Sequence, residues 1–178
     1  MSETKQRDMF YAVWATAWGP MGGVAGAAGL RRIVLPHYQR DQLDQLLAWE
    51  HPGTRRDEGP FADLIPLTRD YFNAKTVDFA GVACDLPTPG AFGGKVLRAC
   101  REIPYGQTRS YLHIAELIGL PDAARAVATA LGKNAIPLVI PCHRVIYSDG
   151  RAGGFSAEGG VALKQRMLAL EAKIATKK

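Results

Sequence analysis

The segment Asp85-Leu86-Pro87-Thr88-Pro89-Gly90 divides this chain. Proline fixes φ and lacks the amide donor, so two prolines and a glycine in six residues disfavour continuing either a helix or a central strand. The patterns on the two sides differ in kind. Two domains are therefore expected, residues 1–86 and 87–178, in a chain of 178 residues that is long enough to bury a real core.

Before the break the residues favour strands. Phe10, Tyr11, Val13 and Trp14 make 10–16 aromatic and β-branched. Gly19-Pro20 and Gly22-Gly23 read as a turn, and 24–28 and 32–35 as further strands, broken at Gly29. Asp41 is placed to cap a helix carrying Leu43, Leu46 and Leu47, which ends before Pro52-Gly53. A second helix falls within 61–73, with Pro66 interrupting it or near its start, and 77–82 reads as one more strand. This half is a small α/β unit.

After the break the period becomes helical. Phe92, Val96, Leu97 and Cys100 share a face. Ser110 can cap a helix from Tyr111 that stops at Gly119, and Pro121-Asp122 opens another, 123–131, with Gly132 at its exit. Two helices joined by a tight Gly-Leu-Pro turn form a helix-turn-helix candidate, although an ordinary helical hairpin has the same pattern. The second helix carries Ala124, Val127, Ala128 and Leu131 on its core stripe, leaving Arg125, Ala126 and Thr129 opposite. That outer face is flat apart from one long cation. It fits close approach to a narrow surface such as a DNA minor groove, or packing on a neighbouring element.

Charge follows the same division. Residues 1–89 hold 9 Lys/Arg and 11 Asp/Glu, a net of −2, and residues 90–178 hold 13 and 6, a net of +7. A basic half points to a polyanionic partner or to a solvated basic surface. The longest apolar stretches are too short to cross a bilayer, and the N-terminus shows no apolar run with a cleavage site. Three cysteines in no framework spacing favour free thiols in a reducing compartment. The expected location is the cytoplasm.

The chemistry lies in Ile140-Pro141-Cys142-His143-Arg144-Val145. A thiol attacks as its thiolate, and cationic or basic neighbours ease its deprotonation. His143 is adjacent, but side chains adjacent in a strand face apart, so a tight turn or a bridging water is needed to couple them. Taken alone, Cys142 fits a buried inert thiol beside a surface histidine better than it fits a nucleophile.

This hexapeptide resembles the active-site signature of the O6-alkylguanine-DNA alkyltransferases, the methylated-DNA–protein-cysteine methyltransferases. Ile103-Pro104-Tyr105-Gly106-Gln107-Thr108-Arg109-Ser110-Tyr111, Ala124-Arg125-Ala126-Val127, Gly132-Lys133-Asn134 and Leu168-Ala169-Leu170-Glu171 match in the same order. The likeness is strong over 88–174 and weak before it. It implies a small ribonuclease-H-like sheet with helices in the first domain, and a mainly helical, winged-helix-like second domain with a helix-turn-helix.

The resemblance also implies roles. Cys142 would accept the alkyl group, His143 would deprotonate it through a water, and Glu171 would orient the imidazole. Arg125 would fill the gap left by a flipped nucleotide, with Ala126, Thr129 and Arg144 also on the DNA. Tyr111 would contact the nucleotide or its phosphate and supply a proton to the leaving guanine. Asn134 would pin the turn before Cys142, and Pro137, Val145, Phe155, Ser156 and Ala157 would line the alkyl pocket. The partner is double-stranded DNA bearing O6-alkylguanine. The thioether product is permanent, so the protein acts once. Protonation of the leaving group suffices, so no metal or cofactor is expected, and His37, His51 and Cys84 are too scattered for a site. A monomer is expected.

Two features depart from the family. Phe155 stands where many members have tyrosine, and Ala157-Glu158 lengthen the loop before Gly159-Gly160. Both bear on alkyl size and rate, not on reaction class. Rival readings are a helix-turn-helix regulator, which would need base-reading side chains that the Ala126/Thr129 face lacks, a Cys-His-Glu hydrolase, which would turn over, and a damage sensor that binds without repair.

Overall fold

The computed structural model describes residues 8–175. The chain divides into two compact units between Asp85 and Leu86, at the proline-rich segment.

In the first unit, β1 (Phe10–Thr16), β2 (Gly19–Gly26) and β3 (Gly29–Val34) form consecutive antiparallel pairs. A two-residue strand, β4 (Arg55–Arg56), runs parallel to β1, giving the order β3-β2-β1-β4. Helix α1 (Arg40–Glu50) packs Leu43 and Leu47 on Tyr11, Val13 and Val24. The next position along β1, Trp14, faces Phe61 and donates from Nε1 to Thr68 of α2 (Leu64–Phe72) at 2.9 Å. Both faces of β1 are thus covered, which is why Tyr11 to Trp14 are all buried.

Gly22 and Gly23 do not make a turn; they lie inside β2. A Cβ at Gly22 would meet Leu47 at 2.6 Å, and one at Gly23 would meet Phe61 at 3.0 Å. The missing side chains let a helix approach one face and an aromatic ring the other. The cap of α1 is Gln39, not Asp41, with Gln42 closing a capping box. The strand expected over 77–82 does not form. Val77 and Phe79 are buried as side chains on irregular backbone, and β4 takes the sheet edge.

The second unit is mainly helical: α3 (Phe92–Arg101), α4 (Tyr111–Leu117), α5 (Ala124–Leu131) and α6 (Gly160–Ala175). Ser110 caps α4 by accepting from the His113 amide at 3.0 Å. Gly119, at φ 78, turns the chain into a 3-10 start at Pro121–Ala123 and then α5, completing the helix-turn-helix. Short parallel strands β5 (Arg109–Ser110) and β6 (Val145–Ile146) bring the start of α4 beside the segment after Cys142.

Candidate active site

Cys142 sits in a single 3-10 turn, Cys142–Arg144, rather than in a strand. The turn closes by Arg144 N–H donating to Pro141 O at 2.8 Å. It buries three consecutive polar-capable side chains, Cys142, His143 and Arg144, which an alternating strand would not do.

Asn134 holds the approach to the turn. Its Nδ2 donates to Ile140 O at 2.9 Å and lies 3.1 Å from Cys142 Sγ, while its Oδ1 accepts from Ile136 N–H at 3.0 Å. One buried amide therefore stitches 136–142 into shape. Leu138 within this stretch takes φ 76, a conformation disfavoured for a side chain of that size, and the surrounding bonds hold it there.

Behind Cys142, His143 is fully buried, and its Nε2 lies 2.7 Å from Glu171 Oε1. Arg144 grips the same carboxylate in a bidentate pair, Nε to Oε2 at 2.9 Å and Nη2 to Oε1 at 3.0 Å, and donates from Nη1 to Ile103 O at 2.8 Å. Gly106 N–H adds a bond to Glu171 Oε2 at 3.0 Å. Burial alone would raise the Glu171 carboxyl, but His143 and Arg144 outweigh it and draw it down to about 2. Glu171 is thus a fixed anion. Burial pushes His143 down against the pull of Glu171, which keeps the ring neutral and able to take a proton.

The basic neighbours do not prevail at Cys142. Burial pushes its thiol up, and the Asn134 amide, the Lys164 charge and backbone N–H groups offset this only in part. The resting group is a thiol, to be deprotonated as it reacts.

Tyr111, Arg125, Thr129, Cys142, Phe155 and Ser156 share the wall of one cavity of about 430 Å³. Burial, with Tyr147 next, pushes the Tyr111 hydroxyl up to about 12, so it stays protonated. Arg125 and Ala126 are exposed on α5, and the Thr129 hydroxyl donates to Arg125 O at 3.1 Å, which leaves its oxygen as an acceptor on that face. Ala126 itself does not line the cavity.

Several placements correct the sequence reading. Arg144 is 5% exposed and paired with Glu171, so it is not on a DNA-facing surface; a cation this close to a buried carboxylate is held there by mutual neutralisation. Pro137 and Val145 are buried in the fold rather than in the cavity wall, Val145 pairing with Arg109 between β5 and β6. Ala157 lies in the bend just before α6, its carbonyl accepting from Gly160 N–H at 3.0 Å. The buried face of α6 is Leu163, Lys164, Met167 and Glu171.

Lys164 was not expected in the site. Its side chain is fully buried, and Nζ donates to Val145 O at 2.6 Å and to Gly154 O at 3.3 Å, tying the cavity loop to β6. Burial lowers its pKa to about 8. The signal was present in the sequence: Lys164, Met167 and Glu171 fall at i, i+3 and i+7, on one helical face. Tyr147, also unexpected, lines the cavity beside Tyr111, with ring centroids 5.2 Å apart.

Known proteins resemble this chain in sequence and fold. The family profile described as "6-O-methylguanine DNA methyltransferase, DNA binding domain" matches residues 91–173, the stretch that holds every site residue above. A methylated-DNA–protein-cysteine methyltransferase of Mycolicibacterium paratuberculosis is 42% identical over 129 residues, 72% of this chain and 76% of that protein. One from Metallosphaera sedula is 38% identical over 161 residues, 90% of this chain and 94% of the relative. Among solved structures, Mycobacterium tuberculosis OGT in complex with DNA superposes with a TM-score of 0.75 at 31% identity, covering 93% of this chain and 94% of that one. With a thiol, a neutral imidazole and a fixed carboxylate in sequence behind a cavity beside a helix-turn-helix, and with relatives this similar along most of its length, the chain belongs to the methylated-DNA–protein-cysteine methyltransferase family.

Proposed function

We propose that this protein repairs DNA by moving an alkyl group from the O6 atom of guanine in duplex DNA onto Cys142, once per molecule. The observation that carries this reading is Cys142 in a cavity wall, followed in the same buried turn by His143, which is paired with Glu171.

The reactive carbon lies inside the duplex, so the guanine must leave the stack, at a cost of a few kcal/mol. The flat outer face of α5, with small side chains around Arg125, suits the minor groove, and the exposure of Arg125 supports its role of filling the space the base vacates. Within the cavity, the thiol proton passes through a water to the neutral His143 ring, whose positive charge Glu171 then balances. Sulfur forms its bond to the alkyl carbon as the carbon–O6 bond breaks. The electron pair stays on the guanine, which takes a proton from Tyr111. A thioether is left on Cys142, and no group here can hydrolyse it. Cys84, Cys100 and Cys142 are all free thiols, in keeping with action in the cytoplasm.

Intact mass after incubation with duplex DNA bearing O6-methylguanine tests the reading. One methylene is expected to be gained, mapping to Cys142 and saturating at one equivalent. Continued turnover would point to a hydrolase, and binding without mass gain to a sensor.

Arg125→Ala is expected to slow repair in duplex DNA by about tenfold or more while reaction with free O6-alkylguanine base changes little, because base extrusion is the step it assists. Single-turnover rates on the two substrates check this, and equal losses would remove Arg125 from that role.

A further inference from the structure

The alkyl-accepting cavity has a neighbour. A second cavity of about 530 Å³ is lined by Arg151, Ala152, Gly153, Val161, Gln165 and Leu168, among others, and Tyr147 lines both. We propose that the Tyr147 ring is the partition that sets the length of alkyl group this protein accepts. The proposal rests on the alkyl-transfer reading and adds to it the residue that limits substrate size.

The partition is built from three parts. The Tyr147 ring packs on Tyr111, with centroids 5.2 Å apart and planes at 57°. Gly153, at φ 72, presses the loop backbone against both rings. A Cβ there would lie 2.7 Å from the Tyr111 hydroxyl and 3.2 Å from Tyr147 Cε2, so only glycine lets the loop close so tightly. Arg151 stands over the Tyr147 ring at 5.0 Å and is itself held by Asp149 at 2.7 Å. The backbone adds a tight turn, Tyr147 N–H donating to Arg151 O at 2.9 Å and Gly150 N–H to Tyr147 O at 3.0 Å. The ring keeps this place by packing on Tyr111 and by the turn, with 44% of its surface open to solvent.

Its position matters because of what lies on either side. Toward Cys142 are Gly154, Phe155 and Ser156, which leave room for a base and a compact alkyl group. Beyond the ring, Ala152, Val161 and Leu168 give an open groove its apolar side, with Arg151 and Gln165 also in its lining. Tyr147 is the residue common to the two linings. The wild-type protein is accordingly suited to methyl and other short alkyl groups, and loss of the Tyr147 ring admits aryl-methyl and longer chains.

The test compares single-turnover rates of the full chain on duplex DNA bearing O6-methylguanine or O6-benzylguanine. For Tyr147→Ala the benzyl-to-methyl rate ratio is expected to rise about tenfold or more, as for a pocket that gains or loses apolar depth. Tyr147→Phe keeps the ring and should keep the wild-type ratio. Because the ratio is taken within one variant, a general loss of rate from loosening Tyr111 cancels. Tyr147→Val removes the ring with less loss of bulk and should show the same rise if the alanine variant does not fold. A ratio that is unchanged or lower in folded ring-less variants, with methyl transfer intact, overturns the partition. Absence of methyl transfer by the wild-type protein overturns the alkyl-transfer reading instead.

Discussion

Glu171→Gln is expected to destabilise the protein by about 3–5 kcal/mol and to abolish alkyl transfer together, because it breaks a buried ion pair on one side only. The carboxylate, 2% exposed, receives two bonds from Arg144 and one from the Gly106 amide, and holds His143 Nε2 at 2.7 Å. A carboxamide offers one acceptor oxygen and turns an N–H donor toward donors. Arg144 then keeps its charge in the interior without a counter-ion. In thermal melts the variant should lose roughly 6–20 °C, for a chain of this size.

The wild-type protein carries the complementary pH signature. The Glu171 carboxyl is held at about 2 in the fold, against about 4.3 in an unfolded chain. A carboxyl depressed on folding contributes stability that is complete above the unfolded value and lost as pH falls through the range between the two. The wild-type melting temperature should therefore fall as pH drops from about 5 to 2, and Glu171→Gln should lack that component. Melting within a few degrees of wild type at neutral pH would show that the pair does not hold the site together.

Cys142→Ala has the largest chemical effect expected and nearly no structural one. No alkyl adduct should be detected on any residue. Cys100 is wholly buried, its thiol pushed well up by burial, and Cys84 lies in the first unit, so neither is a substitute nucleophile. Asn134 keeps its bonds to Ile140 O and Ile136 N–H when the sulfur is removed, which limits the stability loss to about 1 kcal/mol. Binding to damaged duplex DNA should persist. Peptide mass mapping and a DNA-binding titration together check the prediction, and transfer to another residue in the variant would displace Cys142 from its role.

The sequence made some of this legible and hid the rest for identifiable reasons. The first strand, the helix-turn-helix and the Ser110 cap follow from local chemistry, since turn residues and helical period act within a few positions. The strand expected at 77–82 failed because β-branched and aromatic residues also serve as isolated plugs, as Val77 and Phe79 do. Gly22-Gly23 imitated a turn because what it accommodates, Leu47 and Phe61, lies far along the chain. Arg144 failed in the same way. A cation beside a reactive cysteine looks like a DNA contact until its partner, 27 positions away, is brought against it. Lys164 was overlooked because a lysine on a helix is ordinarily solvated, although its spacing from Met167 and Glu171 placed it inward.

The distance along the chain between His143 and Glu171 has a consequence for how the protein is made. They are 28 positions apart, and the Gly106 amide bonds to the same carboxylate across 65. Translation delivers the reactive cysteine before the helix that orients its base, and chains fold as they emerge from the N-terminal side. A nascent protein in which α6 has not yet docked carries the thiol without its proton acceptor fixed in place. A protein that can react only once thus gains its reactivity after α6 has been made and has docked, not when its cysteine is made.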